Sequence, residues 1–227
     1  MITNCLILAR KNSERIKKKN MIKFNNKPII YWTLKHAFSS KVFNKIILSS
    51  DWNELLDYSK SKFKKLIINK RPVNLSKSNI KSEKVINYLF KKYKFSKGYT
   101  VLLQPTSPLR KLSYIRLMLN LSKRKKLNTL HSISEVKNKT YIKKRNNFYK
   151  VPKQEKNKKF FLNGSIYIFN NNYFKKTNSI KEKKGNYFFN EKKYSLDLDT
   201  LNDLKKFNLI YFFNKKGTLF ISKKKYE

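Results

Sequence analysis

The chain has 227 residues and one cysteine, Cys5. That length suits one α/β domain spanning residues 1–227 with room for a small appendage, and a lone thiol inside an apolar run excludes a disulfide framework. Its 55 Lys+Arg against 13 Asp+Glu give a net charge of +42, which by itself points to a polyanion partner. The composition argues otherwise. Only seven arginines are present, so nearly all the positive charge is lysine, and Gly and Pro are scarce at 4 and 5. Asn, Ile, Phe and Tyr are abundant, and these residues share A/T-rich codons with lysine. Nucleotide bias therefore accounts for the charge, and the lysines are dispersed. No specific nucleic-acid partner is expected, only weak salt-sensitive binding. No apolar run reaches membrane-span length, and the apolar start is too short for a signal peptide. No membrane association and a cytoplasmic location are expected.

Residues 4–9 form an apolar run suited to a buried first strand. Arg10, Lys11, Asn12 and Ser13 follow at once, and a lysine-rich loop leads to Lys19 and Asn20. A strand ending in cations and small polar residues can hold a polyphosphate, with Arg10, Lys19 and backbone amides from Ala9 onward as donors and Ser13 as a hydroxyl. A basic surface turn would have the same composition. A helix begins near Pro28, which suits a first turn, with Ile30, Leu34, Ala37 and Phe38 at sheet-facing spacing. A second strand at 44–50 ends at Asp51, which can cap the next helix or touch a ligand; the cap is favoured. A helix over 52–62 and a strand over 65–69 complete a βαβαβ rhythm, the pattern of a doubly wound parallel sheet.

Arg71 closes that third strand at the ligand edge of such a sheet. A helix is expected over 80–92 and a central strand over 99–103. Gln104-Pro105-Thr106-Ser107-Pro108-Leu109-Arg110 follows, where two prolines within four residues forbid a helix and set a rigid turn. The Gln104 amide can donate and accept there. Arg110 reads equally as a substrate contact or a structural cation. A helix over 112–124 and a strand over 129–134 come next, the latter carrying His131 as a packed residue. Residues 141–151 suggest a hairpin around Asn146 and Asn147. Asn163 and Gly164 precede a buried strand, and the glycine permits close backbone approach. Asp197 and Asp199 lie two apart in an extended segment, so both carboxylates face one way, about 7 Å apart. Two such groups can converge on a divalent ion. Alternatively, Asp199 caps the helix expected over 201–213, with Asp203 in support.

Five of these stretches, four signatures and the Arg71 segment, together resemble the acylneuraminate (CMP-sialic acid) cytidylyltransferases. Ile7-Leu8-Ala9-Arg10, Ser13, Arg15-Ile16 and Lys19-Asn20 match the first signature, with Lys17 in place of a proline. Arg71-Pro72-Val73-Asn74-Leu75 resembles the segment at the nucleotide base, and Leu102-Leu103-Gln104 through Arg110 is an uninterrupted match to the second signature. Leu162-Asn163-Gly164-Ser165-Ile166-Tyr167 and Leu196-Asp197-Leu198-Asp199-Thr200 with Asp203 match the remaining two. Two departures fall on the sugar side: Phe161 stands where the family has arginine, and Lys153 replaces another arginine. Lysine and phenylalanine cannot fork onto a carboxylate as arginine does.

The resemblance implies a Rossmann-like nucleotidyltransferase fold: a mostly parallel sheet, helices on both faces, and a dimerisation excursion over about residues 135–190. It implies a homodimer and transfer of CMP from CTP to a sialic-type (nonulosonic) acid. Arg10, Lys19, Asp197 and Asp199 would be catalytic, and the two aspartates would hold Mg2+. Ala9, Arg10, Asn12, Ser13, Lys19, Asn20, Arg71 and Ser82 would bind the nucleotide; Gln104, Asn163 and Lys153 would bind the sugar. No side chain stands out as a general base, so metal-assisted deprotonation is the simplest reading. Two rivals stay open: a nucleotidyltransferase for another 3-deoxy sugar acid, and a basic nucleic-acid-binding protein.

Overall fold

The first apolar run becomes an interior strand of a seven-stranded sheet, beside the central strand that the sequence placed at 99–103. In this computed structural model, residues 1–13, 15–135, 141–144, 147–150, 160–194 and 196–215 are described. In chain order the elements are β1 (Thr3–Leu8), β2 (Lys23–Phe24), β3 (Lys27–Pro28), α1 (Ile29–Ser40), β4 (Lys45–Ser50), α2 (Asn53–Lys62), β5 (Ile67–Lys70), α3 (Ser82–Lys92), β6 (Tyr99–Leu103), α4 (Leu112–Arg124), β7 (Thr129–Glu135), β8 (Tyr141–Lys144), β9 (Asn147–Lys150), β10 (Phe160–Asn170), α5 (Asn171–Thr177), β11 (Asn186–Phe189) and α6 (Leu201–Lys215). The sheet order is β11-β7-β10-β6-β1-β4-β5. Strands β6, β1, β4 and β5 are parallel, as are β11 and β7; β10 runs antiparallel between β6 and β7.

Alternation along the strands sorts side chains into two layers. Cys5, Ile7, Leu48, Val101, Leu103 and Ile168 face one way, onto α1, α2 and α4. Leu6, Ile47, Leu102 and Phe169 face the other, onto Val85, Ile86, Leu89 and Phe90 of α3 and Phe174 of α5. The mostly parallel sheet with helices on both faces is thus as expected. The chain winds from β1 outward through β4 to β5, then returns to place β6 on the other flank of β1. The carboxyl ends of β1 and β6 therefore flank a switch in winding direction, where sheets of this class open a ligand crevice.

Several details differ from the sequence reading. Asn25 and Asn26 both adopt positive φ (44° and 58°) and close a β2–β3 hairpin, a tight turn that asparagine tolerates. Pro28 consequently ends β3 and takes the N-cap position of α1, one residue before the helix. Helix α6 packs its buried Phe207 on Phe24, Ile29, Trp32 and Leu198, a third cluster around that hairpin, rather than on the sheet. Strands β8 and β9 pair Lys144 with Asn147, one position earlier than the expected turn. Residues 160–170 and 186–189, placed in the excursion by the sequence, are strands of the main sheet. Among the described residues no helix is long and apolar enough to cross a membrane.

His131 is 2% exposed in β7 and meets the Tyr167 ring edge-on at 5.0 Å. Burial lowers its pKa from 6.5 to about 4. The folded state therefore favours the neutral ring, while the unfolded chain takes up a proton below its ordinary pKa. Stability from this residue is intact above pH 6.5 and falls as pH drops toward 4, by roughly 3 kcal/mol. Urea titrations at stepped pH should show that decline, and His131→Phe should flatten it. An unchanged acid limb in the variant would refute the assignment.

Candidate active site

The crevice at the switch point is a cleft of about 320 Å3 lined by Leu8, Arg10, Ser13, Lys19, Asn20, Ser82, Leu102, Leu103, Gln104, Pro105, Thr106, Asp197 and Asp199. A second cleft of about 430 Å3 adjoins it and shares Leu8, Arg10 and Ser82; Arg71, Ser78, Asn79, Ile80, Lys81 and Val85 complete it. The first cleft brings two cations, Arg10 and Lys19, together with two carboxylates, Asp197 and Asp199. The second is lined by three cations, Arg10, Arg71 and Lys81, and by no carboxylate.

The basic loop after β1 is tied down by its backbone. Ala9 is buried, and its N–H donates to the Ser49 carbonyl at 3.0 Å. The Asn20 amide donates to the Arg10 carbonyl at 3.1 Å, and Arg10 Nη1 donates to the Ser78 carbonyl at 2.9 Å. Asp51 does not cap α2. Its Oδ1 accepts from the Lys11 N–H at 2.7 Å, and no side chain caps that helix. A carboxylate at a strand end had two amide targets, and the loop took it. Asn12 is exposed and does not line the cleft.

The carboxylates arrive from the far end of the chain. Leu198 N–H donates to the Thr106 carbonyl at 2.9 Å, which pins the Asp197–Asp199 segment to the turn after β6. Thr200 and Asp203 cap α6 reciprocally: Asp203 Oδ2 accepts from the Thr200 N–H at 2.8 Å, and the Asp203 N–H donates to Thr200 Oγ1 at 3.3 Å. That removes the capping role from Asp199, whose carboxylate instead faces Lys19 Nζ at 3.2 Å and Arg15 Nη1 at 2.8 Å. Asp197 Oδ1 is buried without a hydrogen-bond partner. Burial pushes the Asp197 carboxyl above its ordinary range; Asp199 adds to this, while a bond from Thr106 and the charge of Lys19 oppose it.

These residues suit a divalent cation. An orphaned, buried carboxylate oxygen beside a second carboxylate is a hard-donor arrangement. Among the described residues no group of three or more His, Cys, Asp or Glu could hold a metal, so two aspartates would share it with substrate oxygens and water.

Arg110 resolves as a structural cation. It is 2% exposed, and donates through Nε to the Ser165 carbonyl at 2.9 Å and through Nη2 to the Gln104 carbonyl at 2.7 Å. It thereby joins β10 to the turn that carries Gln104. Arg71 is also buried, bonding Ser49 through Nε at 3.2 Å and Nη2 at 2.8 Å; burial lowers its pKa to about 10. Asn163 does not reach the cleft. Its amide is committed to Ser132, Ser134 and Ser165, because the register shift between Leu162 and Tyr167 leaves local polar groups to satisfy. Lys153 lies outside the described residues. Thr106 and Arg15 were missed as site residues, although both sit inside the motifs that flagged their neighbours.

Gly164 has φ +72°, and a Cβ there would lie 2.6 Å from Gln104 Oε1. Gly164→Ala should therefore lower stability by about 1–2 kcal/mol and turn the Gln104 amide out of place. A thermal melt within 1 °C of wild type would contradict this.

The family profile described as cytidylyltransferase matches residues 4–225. The chain belongs to the cytidylyltransferase family. The resemblance to the acylneuraminate cytidylyltransferases holds accordingly. This cytidylyltransferase-family chain is 26% identical over 212 residues to an N-acylneuraminate cytidylyltransferase of Streptococcus agalactiae serotype V, covering 88% of this chain and 51% of that protein. It is 43% identical over 53 residues to a pseudaminic acid cytidylyltransferase of Campylobacter jejuni serotype O:23/36, covering 23% of each. A 36% match over 83 residues to a Helicobacter pylori protein, "Pseudaminic acid cytidylyltransferase and UDP-2,4-diacetamido-2,4,6-trideoxy-beta-L-altropyranose hydrolase", covers 37% of this chain and 16% of that one. The chain thus spans about half or less of the length of these curated relatives. Among solved structures, a CMP:2-keto-3-deoxy-manno-octonic acid synthetase complexed with CTP superposes with a TM-score of 0.71 at 12% identity, over 96% of this chain and 100% of that one. That likeness establishes the nucleotidyltransferase fold.

Proposed function

We propose that the protein transfers CMP from CTP to a nonulosonic acid and releases pyrophosphate. One observation carries the reading: Arg10, Ser13 and Lys19 line the same cleft as Asp197 and Asp199, which lie some 180 residues further along the chain. Cations to hold a triphosphate, facing carboxylates that can hold a dication, are the two halves of a phosphoryl-transfer site. In the proposed reaction the sugar's anomeric oxygen forms a bond to the α-phosphorus. The bond from that phosphorus to the oxygen bridging to the β-phosphate breaks, and the hydroxyl proton is lost.

Arg10, Lys19 and the Ser13 hydroxyl hold the phosphates and neutralise the charge on the leaving group. Asp197 and Asp199 would hold Mg2+, which when bound would polarise the α-phosphate and acidify the attacking hydroxyl. Arg71 and Ser82 line the adjoining cleft of about 430 Å3, which would take the nucleoside. Gln104, backed by Gly164, orients the sugar acid. Asn163 acts at one remove, by shaping the Gly164 turn.

Relatives named for both N-acylneuraminate and pseudaminic acid match this chain, so the sugar panel must hold both, together with 3-deoxy-manno-octulosonate. The deciding experiment is pyrophosphate release with CTP and Mg2+ against that panel, with UTP, GTP and ATP as controls. Turnover with CTP and one nonulosonic acid is expected. Failure to bind CTP, or a preference for another nucleotide, would overturn the proposal.

A further inference from the structure

Both oxygens of Asp199 are engaged by cations of the basic loop. Lys19 Nζ lies 3.2 Å from Oδ1, and Arg15 Nη1 lies 2.8 Å from Oδ2. Asp197, two residues away, keeps one buried oxygen without a partner. The two carboxylates are therefore unequal: one is open and one is clamped. Arg10 and Lys19 line the cleft with them, and Arg15 adds a third positive charge through its contact with Asp199.

We propose that Arg15 is a positioning residue that keeps Asp199 from a divalent cation until a triphosphate draws the Arg15 and Lys19 side chains away. This rests on the assignment of Asp197 and Asp199 as the cation pair. A dication approaching the cleft alone meets three positive side chains against two carboxylates, and one of those carboxylates is already bridged. A triphosphate offers Arg15 and Lys19 oxygens of higher charge density, and phosphate accepts the arginine fork in two bonds. Once both cations turn to phosphate, Asp199 is released beside Asp197 and the balance of charge favours a dication. Cation and nucleotide affinities are then coupled, and each raises the other by the same factor. The arrangement would keep the site from filling with metal unproductively. Arg15 is suited to this task because its side chain is 67% exposed, so it can swing without unpacking a core.

The test is Mn2+ binding, read from the loss of the free-ion paramagnetic resonance signal, with and without CTP. It compares wild type with Arg15→Gln and with Lys17→Gln, which removes one charge from the same loop. Without nucleotide, Arg15→Gln should bind Mn2+ about fivefold more tightly than wild type, the size of one partly exposed ion pair, while Lys17→Gln stays within twofold. The enhancement of Mn2+ affinity by CTP should shrink in Arg15→Gln by the same factor. Equal shifts in the two variants would reduce the effect to net charge and overturn the proposal. So would Mn2+ binding by Arg15→Gln no better than by Lys17→Gln, including no binding by either. Wild type that fails to bind CTP would refute the proposed function instead, and the nucleotide-free comparison would still decide the role of Arg15.

Discussion

Asp197→Asn should lower kcat by roughly 10³-fold, with CTP affinity held within a few-fold of wild type and no loss of thermal stability. The three outcomes have one cause. Asp197 is half-buried, with one buried carboxylate oxygen lacking a partner, and burial and the neighbouring Asp199 both work against its charge. A charge kept at such a cost is not a packing device. Its amide replacement retains the shape and can still accept from Thr106, but supplies no full negative charge to a dication. A loss of several kcal/mol of transition-state stabilisation corresponds to a factor of that size. The folded state loses nothing, because the ionised form was penalised there. Steady-state kinetics, nucleotide titration and a melting curve check the three parts separately. Full activity in the variant would remove Asp197 from the catalytic assignment. A large fall in melting temperature would make it structural.

Arg110→Ala should cost about 3–5 kcal/mol of stability, the sum expected from buried acceptors left unsatisfied and a cavity. Three consequences add. The carbonyls of Ser165 and Gln104 lose their charged donor, and buried acceptors left unsatisfied cost about 1–3 kcal/mol each. A large, fully buried side chain leaves a cavity. The turn from Gln104 to Arg110 also loses its anchor on β10, so Gln104 no longer stands over the cleft. Burial lowers the Arg110 pKa to about 10, partly offset by Cys5 and Asp197. Arg110→Lys should fall between, since an ammonium cannot reproduce the planar fork. Denaturant unfolding gives the stability, and the Michaelis constant for the sugar reads the loosened turn. An alanine variant as stable as wild type would contradict the arrangement.

Much of this was legible in the chain, for reasons that can be named. Apart from the short β2 and β3, the strands and helices from residue 3 to 134 carry clean periodicity, and β6 and α4 fall where the pattern puts them. The cleft residues were legible because their motifs mix charge with turn chemistry: a basic loop after a strand, a doubly prolyl turn, a D-x-D. Destinations of polar side chains were less visible. Nothing local tells whether Asp51 caps the helix that follows it or the loop 40 residues before it. Nor does any local pattern show that Asn163 turns to three serines. Arg110 could be read either way until Ser165, 55 positions on, supplied its acceptor. The β2–β3 hairpin was hidden because two-residue strands have no periodicity. Strand β11 was hidden because its burial alternates weakly at a sheet edge.

The third cluster has a dynamic consequence. Ile16 of the basic loop, Leu198 of the carboxylate segment and Phe207 of α6 share one small apolar group around Phe24, Ile29 and Trp32, separate from the two layers that hold the sheet. Both halves of the candidate site are moored there. Proteins open in cooperative units of unequal stability, and a unit with few apolar contacts opens first. Mild denaturant should therefore release loop, carboxylates and terminal helix together while the β-sheet persists. Activity and amide protection of α6 should vanish at lower urea than protection of β1 and β6. The enzyme would then be switched off by fraying at its margin well before it unfolds.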